Sequence, residues 1–104
     1  MRKSKINISG FKIGTAENRE GLTGVTVILA PDGGATAGVD VRGCAPGTRE
    51  TDLLDPRKTV QKIHAVVLSG GSAFGLEAAS GCVKYLAEQG VGFPIGNVCV
   101  PIVC

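Results

Sequence analysis

Ser69-Gly70-Gly71-Ser72 is the segment of this chain best suited to chemistry. An apolar run precedes it and a helical pattern follows, so the glycines let backbone approach a ligand where the first helical N–H groups point outward with partial positive charge. Such a place takes a phosphate, a carboxylate or a developing oxyanion, and Gly70, Gly71 and Ser72 are the candidate residues. The plainer account stands beside it: Ser72 caps the helix and the glycines make the turn. Two sharper motifs fail. No Lys follows the glycines as a P-loop requires, and Phe74 stands where a nucleophile elbow needs its last Gly. His64, the sole histidine, also precedes Ser72, the wrong order for a triad on that fold.

A second cluster is charged. Asp40, Arg42, Arg49, Glu50 and Asp52 flank the turn-rich Gly43–Gly47. Arg–carboxylate pairs among them would hold the loop, and this structural network is the preferred reading. The alternative is that Arg49 or Glu50 reaches the charged end of a substrate. His64, at the start of an apolar run with no evident partner, reads as a packed or rim residue rather than a catalytic base. Cys44, Cys82, Cys99 and Cys104 contain no CxxC pair and have no histidine at metal-ligand spacing. They are expected to be buried apolar thiols, with no metal and no disulfide.

The elements that must position these groups are punctuated by sixteen glycines, about twice the usual share. Gly24–Ala30 is β-branched, Pro31-Asp32-Gly33-Gly34 supplies turn residues, and Ala35–Val41 alternates loosely, so a hairpin is predicted there. Phe11–Gly14 adds an earlier strand. Asp55-Pro56 signals a short helix to about Lys62, with Asp as N-cap and Pro at the first helical position. His64–Leu68 reads as a fully buried strand. From Ala73 to Gln89, Glu77, Ser80, Lys84 and Glu88 form one polar stripe at helical period, and the wide apolar remainder predicts a helix packed on more than one side. Gly90 stops it. The fold class is therefore α/β: a β-hairpin followed by a strand, a Gly-rich turn and a helix.

Composition narrows the function. The chain is 43% apolar and 19% charged with a formal charge of +2, which excludes a disordered or nucleic-acid-coating chain. Arg2, Lys3 and Lys5 are a short run without aromatic interleaving, and read as a solvated terminus. No stretch approaches the ~20 apolar residues of a membrane span, and Ile6–Gly14 is too polar for a signal peptide. A cytoplasmic location is the expectation. Val98–Val103 is another strand-like run close to Cys104, which reads as a sheet strand left without a partner, and the chain as a fragment of a longer one.

Val39 to Leu54 (VDVRGCAPGTRETDLL) and His64 to Leu76 (HAVVLSGGSAFGL) resemble, in order and spacing, two segments of the DmpA-type L-aminopeptidase D-amidase/D-esterase family. Val100-Pro101-Ile102-Val103 is similar to that family's next strand, and the likeness runs from about Gly21 onward. The departure is Cys44, where the family commonly has Gly. The resemblance implies an αββα sandwich of the DmpA/ornithine-acetyltransferase-like type, a precursor that cuts itself in two, and a freed N-terminal Ser or Thr that is nucleophile and carries the base, its own α-amine. It implies hydrolysis of short peptides, amides or esters, with no cofactor and an oligomeric enzyme. Nylon-oligomer hydrolases are among the relatives.

On this reading residues 1–104 are a single N-terminal fragment of the α-subunit region. The nucleophile lies downstream, so no residue here is assigned as catalytic. Gly70, Gly71 and Ser72 are candidates for a substrate or oxyanion region, and Arg42, Arg49, Glu50 and Asp52 for organising the loop. The expected partners are the rest of the precursor or a complementary subunit, a small peptide, amide or ester substrate, and further copies in a homo-oligomer, with neither nucleic acid nor membrane. A small anion- or nucleotide-binding module built on Ser69–Ser72, or an inactive structural fragment, are the alternatives.

Overall fold

The computed structural model describes residues 7–104, so the Arg2, Lys3, Lys5 run lies outside the described residues. It is a mixed α/β unit with an antiparallel sheet of three strands, β1 (Lys12–Asn18), β2 (Thr23–Leu29) and β3 (Ala65–Ser69), in the order β1-β2-β3. A helix, α1 (Glu77–Glu88), covers one face, and a small hairpin follows, β4 (Phe93–Ile95) with β5 (Val98–Val100).

The predicted strand at Gly24–Ala30 forms, but its partner is not Ala35–Val41. β2 pairs with β1 on one side, Lys12 opposite Leu29 through Asn18 opposite Thr23, and with β3 on the other, Val25 opposite Ser69 through Leu29 opposite Ala65. Both edges of β2 are thereby used, and Ala35–Val41 keeps a single bridge, Ala35 to Ile63. Pro31–Gly34 does turn, with Gly34 N–H donating to Pro31 O at 2.9 Å. Gly34 must be glycine: its φ is +85°, and an added Cβ would lie 2.9 Å from Ile63 O.

The helix expected over Pro56–Lys62 is absent. A 3₁₀ turn at Thr51–Leu54 stands before it instead. Asp55 does cap, its Oδ1 accepting from Arg57 N–H at 2.9 Å, but its carboxylate also grips the Arg57 guanidinium, and Lys58 N–H to Asp55 O closes only one turn. The β-branched Thr59 and Val60 follow, which favour extended backbone.

The core lies between α1 and the sheet: Ala65, Ala79, Cys82, Leu86 and Val103, with Val27, Leu29 and Val67 packed against them. Strand alternation places Ile28, Val66 and Leu68 on the opposite face. β3 is consequently not buried on both sides, since Leu68 is 59% exposed. The helix is likewise covered on one side among the described residues: Ala79, Cys82 and Leu86 are buried, while Phe74 and Tyr85 are 92% and 51% exposed. Only one layer meets the broad apolar arc. Gly90, at φ +70°, ends the helix as expected.

The apolar run at Val98–Val103 is not partnerless. Its first half is β5, paired with β4, and its second half lies parallel to β3. There Val67 N–H donates to Cys104 O at 2.7 Å and Cys104 N–H to Ala65 O at 3.1 Å. Among the described residues no helix is long and apolar enough to cross a membrane.

Candidate functional site

The glycine turn is held from three sides. Gly70 N–H donates to Gly24 O at 2.9 Å, and Ser69 Oγ donates to Gly75 O at 2.7 Å. Gly71 takes φ +94°, and Gly75 packs so closely on Gly70 O that a Cβ there would overlap it. The turn does not open α1 directly. A 3₁₀ turn, Ser72–Leu76, intervenes, and Ser72 lies inside it at φ +57° while Gly71 is the capping residue, with no side-chain cap bond. Ser72 as N-cap is therefore corrected: the packing of Gly75 against Gly70 fixes a tighter first turn than an α-helix has. Gly70, Gly71 and Ser72 are exposed. Gly70 lies beside a shallow groove of about 310 Å³ bordered by Glu17, Asn18, Thr23 and Phe74.

The charged cluster divides rather than forming one network. Arg42 pairs with Asp40 at 2.6 Å on the exposed surface. Such a pair is worth little in open solvent. Arg49 leaves the loop, its Nη1 donating to Ser80 Oγ at 2.7 Å and reaching Leu76 O at 3.5 Å. Glu50 adopts φ +60°, and its carbonyl accepts from Leu53 N–H at 3.2 Å. The Cys104 thiol also lies 3.8 Å from that oxygen. Asp52 sits in the first turn of Thr51–Leu54.

These arrangements enclose a cleft of about 450 Å³ between the Thr48–Leu54 segment, β3 and the start of α1. Leu54, Ile63, Val66, Leu76 and Ala79 give it aliphatic walls, and Arg49 is its cation. Arg49 thus joins the cleft, whereas Arg42, Gly70, Gly71 and Ser72 are not among its lining residues. Sequence reasoning missed Ser80 and Cys104 as neighbours of this loop. Ser80 belongs to the polar stripe of the helix and carries no signal of a distant partner.

His64 is packed, as expected, and 5% exposed. Its Nδ1 accepts from Ile102 N–H at 3.0 Å, and burial pushes its pKa below the ordinary histidine value. It is thereby kept as a neutral acceptor, turned toward the chain and not toward a hydroxyl. The four thiols are free. Cys82 is buried and Cys44 exposed, which corrects the expectation of four buried thiols: the Gly43–Gly47 turn holds Cys44 outside the core. Burial raises the pKa of Cys82, and burial followed by the Glu50 charge raises that of Cys104. Among the described residues no three His, Cys, Asp or Glu side chains gather as a metal site. Nor does any Ser or Thr hydroxyl there bond to a histidine, the pairing an activated nucleophile needs.

Comparison with known proteins gives this arrangement relatives. The family described as Peptidase family S58 matches residues 5–104. An uncharacterized aminopeptidase of Mycobacterium tuberculosis (strain ATCC 25618 / H37Rv) is 54% identical over 80 residues, 77% of this chain and 23% of that protein. An uncharacterized aminopeptidase of Mycobacterium leprae (strain TN) has the same identity over 80 residues, 22% of its length. A 6-aminohexanoate-oligomer endohydrolase of Agromyces sp. (strain KY5R) is 39% identical over 85 residues, 82% of this chain and 21% of that protein. The chain thus spans less than a quarter of the length of these relatives.

Proposed function

This chain belongs to peptidase family S58, and we propose that it forms the N-terminal part of a hydrolase that cleaves N-terminal aminoacyl amide or ester bonds. The observation that carries the reading is the family match over nearly the whole chain, including the loop and the helix that meet at Arg49 and Ser80. The relatives' names supply the reaction class, since one hydrolyses 6-aminohexanoate oligomers, which are joined by amide bonds, and others are named aminopeptidases.

In this proposal the precursor cuts itself, and the new N-terminal Ser or Thr attacks the carbonyl while its own α-amine takes the proton. That residue lies outside these 104 residues, which supply scaffold and pocket wall. The described hydroxyls support this division. Ser69 Oγ is spent on Gly75 O and Ser80 Oγ on Arg49, so neither is poised beside a base. The exposed apolar groups Leu68 and Phe74, and the one-sided cover of the sheet, support an αββα sandwich completed by the remainder of the precursor or a complementary subunit. Cytoplasmic location and a homo-oligomer belong to the same proposal.

Self-cleavage is tested by intact mass. A precursor that contains this segment and the rest of a family-length protein is expected to resolve into two polypeptides, the second beginning with Ser or Thr. A precursor that stays whole yet hydrolyses substrate would sink the self-processing mechanism.

A further inference from the structure

Arg49 is a half-buried cation without an acid. Its Nη1 donates to Ser80 and reaches Leu76 O, while the ion pairs among the described residues involve Arg19, Arg42 and Arg57 instead. Nε and Nη2 of Arg49 have no partner there. A guanidinium offers a planar fork of donors that matches the two oxygens of a carboxylate, and partial burial strengthens such a charge-assisted pair.

The cleft beside it selects the rest of a ligand. Its aliphatic walls favour a hydrocarbon body, and about 450 Å³ lies within the range of small-molecule sites. Arg49 is the one cation among the lining residues, so a phosphate would find no second positive partner. Glu50 does not line the cleft, but its charge acts on the Cys104 thiol that does, and it opposes a doubly charged ligand more than a singly charged one.

We propose that this cleft binds a small monocarboxylate with an aliphatic body, its carboxylate paired with Arg49 and its chain lying against Leu54, Val66, Leu76 and Ala79. The inference rests on Arg49 and the walls of the cleft, and not on the reaction proposed above. Arg49 keeps its bond to Ser80 when the ligand enters, because Nη1 serves the helix and the free edge of the fork serves the ligand.

Titration of the 104-residue chain with hexanoate, followed by ¹H–¹⁵N NMR, tests the proposal, with hexanamide as the neutral isostere. Saturable shifts at the amides of Thr51, Leu54, Val67 and Ala79 are expected, with hexanamide at least about tenfold weaker. Arg49→Gln should bring hexanoate down to the level of hexanamide. If that variant loses its native spectrum, the two ligands compared on the unaltered chain still decide the matter. Equal affinity for the acid and the amide, shifts away from the cleft, or no saturable hexanoate binding would each overturn the site.

Discussion

Nη1 of Arg49 donates a 2.7 Å hydrogen bond to Oγ of Ser80, joining the charged loop to a helix 31 residues further along the chain. The loop has little else to hold it, since Arg42–Asp40 is exposed and Asp55–Arg57 is local. Ser80→Ala leaves the guanidinium with only the 3.5 Å contact to Leu76 O. A loss of about 1.5–3 kcal/mol is expected in urea unfolding, as for a hydrogen bond to a charged group. An unchanged midpoint would mean the loop is held by packing alone.

The glycine turn makes a sharper demand on sequence. Gly75→Ala places a methyl group against Gly70 O, and the backbone must move. We expect a loss of at least about 2 kcal/mol, as when tight packing is overfilled. Gly81 is the control, because it lies in α1 with nothing within 4 Å of an added Cβ. Gly81→Ala should gain about 0.5–1 kcal/mol from helix propensity and a stiffer unfolded chain. Thermal melts of the two variants should therefore shift in opposite directions.

Acid should weaken the fold through His64. Burial lowers its folded pKa, so between that value and the unfolded value of about 6.5 the unfolded chain binds more protons. The stability it supports is complete above about 6.5 and falls as the pH drops toward the folded pKa. Protonation also ends the ability of Nδ1 to accept from Ile102. Stability measured across this window should decline for the parent chain and stay flatter for His64→Asn, whose Oδ1 accepts at every pH. Parallel profiles would remove His64 as the cause.

Thiol reactivity should follow exposure. Cys44 is exposed, and burial raises the pKa of Cys82 and Cys104. The thiolate is the reactive form. Ellman's reagent at neutral pH is expected to label Cys44 well before Cys82 and Cys104, as peptide mapping would show. Early labelling of Cys82 would mean that α1 opens readily from the sheet.

Local signals in the sequence located β2, β3, α1 and its Gly90 stop, because each has a period or a terminator of its own. Pairing was harder to read. The β-branched run at Gly24–Ala30 looks equally suited to either neighbour, and only the assembled sheet shows both edges of β2 taken by β1 and β3. Asp55-Pro56 looked like a helix start because capping chemistry is the same in a turn, and the Asp55–Arg57 pair uses it there. The candidate site was legible in its residue types but not in its partners. Arg49 was visible as a charged loop residue, whereas Ser80 was one polar position in a helical stripe, and nothing in the spacing linked them.

Hydrolysis of aminoacyl p-nitroanilides tests the central claim most directly, measured with the 104-residue chain alone and then with a polypeptide supplying the remainder of a family-length protein. No turnover is predicted for the chain alone, with release of p-nitroaniline once the two are combined. Robust turnover by the chain alone, or none when both parts are present and folded together, would contradict it.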